Sequence, residues 1–192
     1  MGKVIMYNVV SVDGFIADLN DDIGPLFEWY SNGDTPLDED GHTKVSRASA
    51  EYVRPLLDAI GTLVVGRHVF DLTNGWNGVP PGGDHTVVVS HRPRPEGWHP
   101  EAPFHFIDGV EPAMAKAQEL AGDRTVAVAA GEVGGQVLAA GLVDEVVMHV
   151  VPVVFGSGKR YFGSVDAQYL LEDPDVVIQG DRVLHLSYRV RR

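Results

Sequence analysis

Phosphate chemistry has few places to happen on this chain. Residues 1–40 hold nine carboxylates (Asp13, Asp18, Asp21, Asp22, Glu28, Asp34, Asp38, Glu39, Asp40) against one base, Lys3, and repel an anion. Residues 66–94 reverse the balance: only Asp71 and Asp84 stand against Arg67, Arg92 and Arg94, with His68, His85 and His91 in addition. Arg67-His68 and His91-Arg92 each follow a short β-branched run. That is where α/β sheets hold ligands, outside the carboxyl ends of their strands. The spacing fits two readings, phosphate ligands or surface arginines balancing an acidic protein.

A second candidate lies where the run Thr125–Ala129 meets Ala129-Ala130-Gly131-Glu132-Val133-Gly134-Gly135. Small residues at a strand-to-helix turn admit a ligand to the backbone, and first-turn amides with the helix dipole attract phosphate. Close packing of helix on sheet calls for the same residues. Gly156-Ser157-Gly158-Lys159-Arg160 could form a third phosphate loop, but reads more simply as a turn with a charged tip. No G-x-G-x-x-G follows a strand, and no Walker A motif is present.

The elements that must position these groups follow from periodicity. Apolar or β-branched runs predict strands at Val4–Val12, Leu63–Val65, Thr86–Ser90, Phe104–Ile107, Thr125–Ala129 and Val143–Val151. Three- and four-residue spacing predicts helices over 46–60, with Pro55 awkward inside it, over 113–120, and over 131–140 ending at Gly141. The tail predicts a hairpin: Val176–Ile178, a turn at Gly180-Asp181, then Val183–Val190. In its last strand Leu184, Leu186, Tyr188 and Val190 are expected on the core face, and His185, Ser187 and Arg189 toward solvent. Residues 18–43, acidic and broken by Gly-Pro and Asn-Gly, read as an irregular loop, either a functional lid or partly mobile. Strand–helix alternation closing on a hairpin predicts an α/β fold with a mostly parallel sheet.

Composition narrows the classes. The 192 residues, with 44% hydrophobic side chains, fit one domain spanning 1–192. A formal net charge of -12 argues against nucleic-acid or membrane-surface partners. The absence of Cys removes disulfides, thiolate metal sites and a cysteine nucleophile. The eight histidines show no H-x-x-x-H or H-E-x-x-H spacing, so no metal site is expected; His42, His99, His105, His149 and His185 read as structural or exposed. No signal peptide is evident at the N-terminus, and a cytoplasmic location is expected.

Three ordered pieces carry a resemblance. They are Ser11-Val12-Asp13-Gly14-Phe15-Ile16-Ala17; Val65-Gly66-Arg67-His68-Val69-Phe70; and Ala130-Gly131-Glu132 through Ala140-Gly141-Leu142-Val143-Asp144-Glu145 to Pro152, Gly156-Ser157-Gly158 and Phe162. In this order, over residues 3–190, they resemble the dihydrofolate reductase-like superfamily. Within it they are similar to the C-terminal reductase domain of bacterial riboflavin-biosynthesis deaminase/reductases. The resemblance implies a three-layer fold with a mainly parallel eight-stranded sheet, a homodimer, and hydride transfer from NADPH to a small heterocycle or imine, pterin-like or riboflavin-precursor-like. It places the nicotinamide beside Val9, Ile16 and Ala17, and the pyrophosphate at Gly66, Arg67, His68 and Val69. Ser90, His91 and Arg92 face the adenosine 2′-phosphate, and Ala130, Gly131, Glu132, Val133 and Gly134 take the other side of the diphosphate.

The chain departs from that pattern. Ala129-Ala130 stands where the family often has two glycines joined by a cis peptide. Asp71–Trp76 replaces an acidic stretch and basic residues that hold a ribosyl phosphate, which disfavours ribityl-phosphate pyrimidines as substrates. No zinc deaminase domain accompanies the reductase pattern. Protonating the atom beside the reduced carbon requires a donor; Glu51 is the candidate by place in the fold, with Asp13 as competitor or turn cap. Trp29, Tyr30 and Phe70 are candidate walls for a flat substrate. A non-catalytic nucleotide-binding module of this fold and a flavin-using oxidoreductase are the alternatives.

Overall fold

The computed structural model describes residues 2–191. The chain runs β1 (Val4–Ser11), β2 (Phe15–Ala17), a 3-10 segment (Gly24–Ser31), β3 (Thr35–Pro36), β4 (Lys44–Val45), α1 (Arg47–Asp58), β5 (Ile60–Gly66), α2 (Arg67–Thr73) and a second 3-10 segment (Asn74–Gly78). It continues through β6 (His85–Val89), β7 (Phe104–Ile107), α3 (Val110–Ala121), β8 (Thr125–Ala129), α4 (Glu132–Ala139), β9 (Glu145–Val151), β10 (Lys159–Arg160), β11 (Val176–Gly180) and β12 (Val183–Arg189). Eight strands form one sheet in the order β11-β12-β9-β1-β8-β5-β6-β7. Pairing is parallel from β9 across to β7 and antiparallel at β9–β12 and β12–β11. This is the expected α/β architecture with a C-terminal antiparallel hairpin.

The central strands are apolar on both faces because helices cover both. Val4, Met6, Val64, Val87, Val126 and Val128 pack with Met114 and Ala117 of α3 and Val137 and Leu138 of α4 in one fully enclosed cluster. On the opposite face Val9 and Val151 meet Ala50 and Val53 of α1, while Val65 and Val88 meet Phe70 of α2. Ser46 caps α1 by accepting the Ser49 amide at 3.3 Å. Pro55 is tolerated because it sits on the solvent face, where the carbonyl left without an N–H partner meets water.

Three expectations are corrected. Residues 18–43 are not a detached lid: the 3-10 segment buries Leu26 and Trp29 completely, and β3 and β4 pair across its far end. An acidic composition masked this, since the few apolar residues have no strand or helix period. In β12 the faces are reversed: Val183, His185 and Ser187 are buried and the leucines only half-buried, because α1 and Trp29 cover the histidine face. Residues 67–73, for which no periodic element is expected, form helix α2, whose roughly two turns are too short for a periodic signal. The Ala129–Ala130 peptide is trans, as are all peptides among the described residues.

If the 3-10 segment belongs to the core, Leu26→Ala removes a fully buried side chain and lowers unfolding stability by about 2–4 kcal/mol. Denaturant unfolding reads this directly; a loss below about 0.5 kcal/mol would return the segment to the status of a surface loop.

Candidate functional site

The carboxyl ends of β5, β6 and β8 lie side by side, with the short strand β2 beside the turn after β8. Gly66 ends β5, and a Cβ there would come within 3.0 Å of Val133 Cγ2 in the first turn of α4. Gly131, at φ +103°, has conformational access that other residues lack; a Cβ on it would stand 3.2 Å from Ile16 Cδ1. The two glycines thus let Val133 and Ile16 pack directly on the backbone at these strand ends.

Cations gather on one side of these ends. Asp71 accepts from Arg67 Nε at 2.8 Å through one oxygen and from Arg92 Nη2 at 2.8 Å through the other. Hydrogen bonding and charge from Arg67, then Arg92, hold its carboxyl below the usual carboxylate range. Arg67 is largely covered, its side chain 16% exposed; it also donates to Ser90 Oγ and to the Arg92 and Pro93 carbonyls at 3.1–3.3 Å and lies over Phe70 and Phe106. It bolts the 90–93 turn to α2. Arg92 stays 66% exposed, and Ser90 Oγ accepts its amide at 3.0 Å. His91 is exposed beside Asp108. On the other side, the first-turn amides of Glu132, Val133 and Gly134 lack intrahelical acceptors. Ala130 N–H donates to the Tyr7 carbonyl at 3.3 Å, and Gly131 N–H to that of Tyr161 at 2.7 Å. The Glu132 carboxylate turns to Ser164 Oγ at 2.7 Å.

The structure thus sets Gly66 beside Val133, Gly131 beside Ile16, and Arg67 beside Ser90 and Arg92, with Val69 half-buried on the same helix as Arg67 and Ala17 buried next to Ile16. His68 reaches across to Asp21, Nε2 to Oδ1 at 2.9 Å, so the acidic turn at 18–22 ties to α2. Val9 is not beside them: it is sealed under Leu26 and Trp29. The β1 residue paired with Ala129 at the end of β8 is Tyr7.

Neither carboxylate candidate faces these residues as an acid. Glu51 is 64% exposed and bound to Arg47 Nε at 2.7 Å on the outer face of α1. Asp13 accepts from Ser11 Oγ at 2.6 Å and from the amides of Phe155 and Gly156 at 3.1 and 2.7 Å. These bonds, the Ser11 one foremost, lower its pKa, which makes it a clasp between two turns. A groove of about 480 Å³ lined by Asp13, Phe15, Leu138, Arg160 and Phe162 lies on that flank, apart from Arg67 and Arg92.

The aromatic candidates separate into two groups. Phe70 packs with Trp98, Phe104 and Phe106 under the arginines. Trp29 and Tyr30 join Tyr7, Tyr52, His149 and His185 beneath α1. Sequence reasoning missed Asp71, Tyr7 and the two histidines. Asp71 had a signal, four residues after Arg67 on one helical face; the histidine pairing depends on tertiary register and had none.

Among the described residues no helix is long and apolar enough to cross a membrane. Burial pushes the His185 pKa down to about 4 and that of His149 well below its ordinary value. Both bind a proton less readily folded than unfolded, so stability is complete above about pH 6.5 and falls as pH drops toward 4. His185 alone predicts a loss of about 2 kcal/mol between pH 7.5 and pH 5. NMR titration checks the cause: two imidazoles stay neutral at pH 5, whereas eight titrating near pH 6.5 would contradict it.

The family model for the RibD C-terminal domain matches residues 2–184. A protein from Shewanella sp. PV-4, assigned by inference to riboflavin biosynthesis, shares 21% identity over 100% of both chains with a TM-score of 0.70. Acinetobacter baumannii RibD shares 14% over 100% of this chain and 59% of that one, TM-score 0.63. Dihydrofolate reductase from Enterococcus faecalis, complexed with NADP(H) and RAB-propyl, shares 18% over 100% and 98%, TM-score 0.57. At these identities the structures establish the fold, which is dihydrofolate reductase-like. No curated protein matches. With the family model covering nearly its whole length, this chain belongs to the RibD C-terminal domain family.

Proposed function

We propose that this protein is a reductase that uses NADPH to reduce a small heterocyclic or imine substrate, of the pterin or riboflavin-precursor kind. The observation that carries the proposal is the Asp71-bridged pair Arg67–Arg92 at the ends of β5 and β6, next to Gly66, which packs against Val133 in the first turn of α4. A dinucleotide with an extra phosphate has the complementary charge, and the residues present fit it. Bound there, NADPH supplies a hydride.

The chain's own groups do the rest. Arg92, exposed and aimed by Asp71, takes the 2′-phosphate together with Ser90 and His91. Arg67 acts mainly as scaffold, fixing the turn that carries Arg92, while the amides of 132–134 take the diphosphate. Ile16 and Ala17 cover the ring end of the dinucleotide. Glu51 and Asp13 are not placed to hand over a proton, so binding and orientation are the roles these residues support. A homodimer, which the family resemblance suggests, belongs to the same proposal, as does a cytoplasmic setting.

Fluorescence titration with NADPH and NADH tests the reading. NADPH is expected to bind more tightly, and Arg92→Ala to weaken NADPH about tenfold, the equivalent of about 1.4 kcal/mol, while leaving NADH nearly unchanged. Equal affinity for the two cofactors in the unmodified protein, or no binding of either, would overturn it.

A further inference from the structure

The glycine-rich turn at residues 156–160 takes no part in the proposed cofactor site, and its two cations part company. Lys159 Nζ lies 3.7 Å from Asp21 Oδ1. Arg160, opposite Phe15 across the β2–β10 pair, lines the groove of about 480 Å³ that also takes in Phe15 of β2 and Leu138 of α4.

Arg160 is exposed, and among the described residues its guanidinium has neither an ion pair nor a hydrogen bond. Acidic residues outnumber basic ones 27 to 15, and Arg47, Arg67, Arg92, Arg124, Arg189 and Arg191 each hold a carboxylate. Asp13 lines the same groove, yet its oxygens are taken by Ser11 Oγ and the amides of Phe155 and Gly156. The Tyr169 hydroxyl, also on the lining, has no hydrogen-bond partner among the described residues either. The groove therefore presents a planar cation and a hydroxyl donor with no acceptor of their own.

The rest of the lining is mostly apolar. Phe15, Phe162, Val165 and Leu171 are half-buried and Leu138 is nearly covered, so apolar surface faces water along the groove. Gly14 leaves the rim open: a Cβ there would meet no atom within 4 Å. The volume falls within the range of small-molecule sites, about 300–1,000 Å³. One unpaired cation beside an apolar trough is the complement of a molecule with one anionic head and an apolar body.

We infer that this groove binds a small monocarboxylate with an apolar body, of the size of a medium-chain fatty acid. Arg160 takes the carboxylate through its planar donor fork, and the Tyr169 hydroxyl offers a further donor. The chain lies on Phe15, Phe162 and Val165, where each methylene removed from water adds affinity. The site is separate from Arg67 and Arg92 and does not depend on the reductase reading.

Titration of the full chain with hexanoate, octanoate and 1-octanol, followed through the methyl NMR signals of Leu138, Val165 and Leu171, tests this. Octanoate is expected to shift all three saturably. It binds about two- to fourfold more tightly per added methylene than hexanoate and about fivefold more tightly than octanol. Arg160→Gln brings octanoate down to the affinity of octanol. Ala167→Trp, which fills the groove from an exposed position on its lining, abolishes binding of both. Equal affinity for octanoate and octanol in the unmodified protein overturns the inference. So do methyl signals that ignore octanoate; if sedimentation then shows a dimer that Ala167→Trp dissociates, a second copy of the chain covers the groove instead.

Discussion

A carboxylate between two guanidinium groups organises the ends of β5 and β6 in this molecule. Arg67 and Arg92 would repel each other if brought together unaided; Asp71 holds one with each oxygen and leaves a net positive charge fixed at the strand ends. The arrangement works because β5 and β6 are parallel neighbours, so that the turns leaving them emerge side by side. In a chain of net charge -12 such a cationic spot is rare enough to steer an anionic ligand to one place.

The sheet couples that spot to a second environment of opposite character. Tyr7 in the middle of β1 pairs with Ala129, the last residue of β8. Beyond them the sheet floor changes from arginine and amide to Trp29, Tyr52, His149 and His185. The tie from Asp21 to His68 and the Ser11–Asp13–Gly156 clasp hold the turns beside these strand ends without contributing an acid.

What was legible in the sequence was what local pattern encodes. Phe104–Ile107 and Thr125–Ala129 match their strands residue for residue, because continuous β-branched or aromatic runs bounded by turn residues have one interpretation. The arginine pair was legible from charge scarcity combined with its place after strands. Helix α2 was missed for its length, and the 3-10 segment because Leu26 and Trp29 sit among carboxylates. The face reversal of β12 shows a different limit: alternation identifies the strand, but which face is covered depends on α1 and Trp29, which arrive from distant sequence. Glu51 was misplaced for the same reason, since helix position alone cannot distinguish the sheet side from the solvent side when Arg47 offers it a partner in water.

The central claim is that Arg92 and the first turn of α4 close on opposite ends of one dinucleotide. A crystal structure with NADP+ bound tests it most directly. The account predicts the 2′-phosphate within hydrogen-bond distance of Arg92 and the diphosphate against the amides of residues 132–134. A dinucleotide seated instead on the Gly156–Arg160 turn, or bound with its 2′-phosphate away from Arg92, would contradict it.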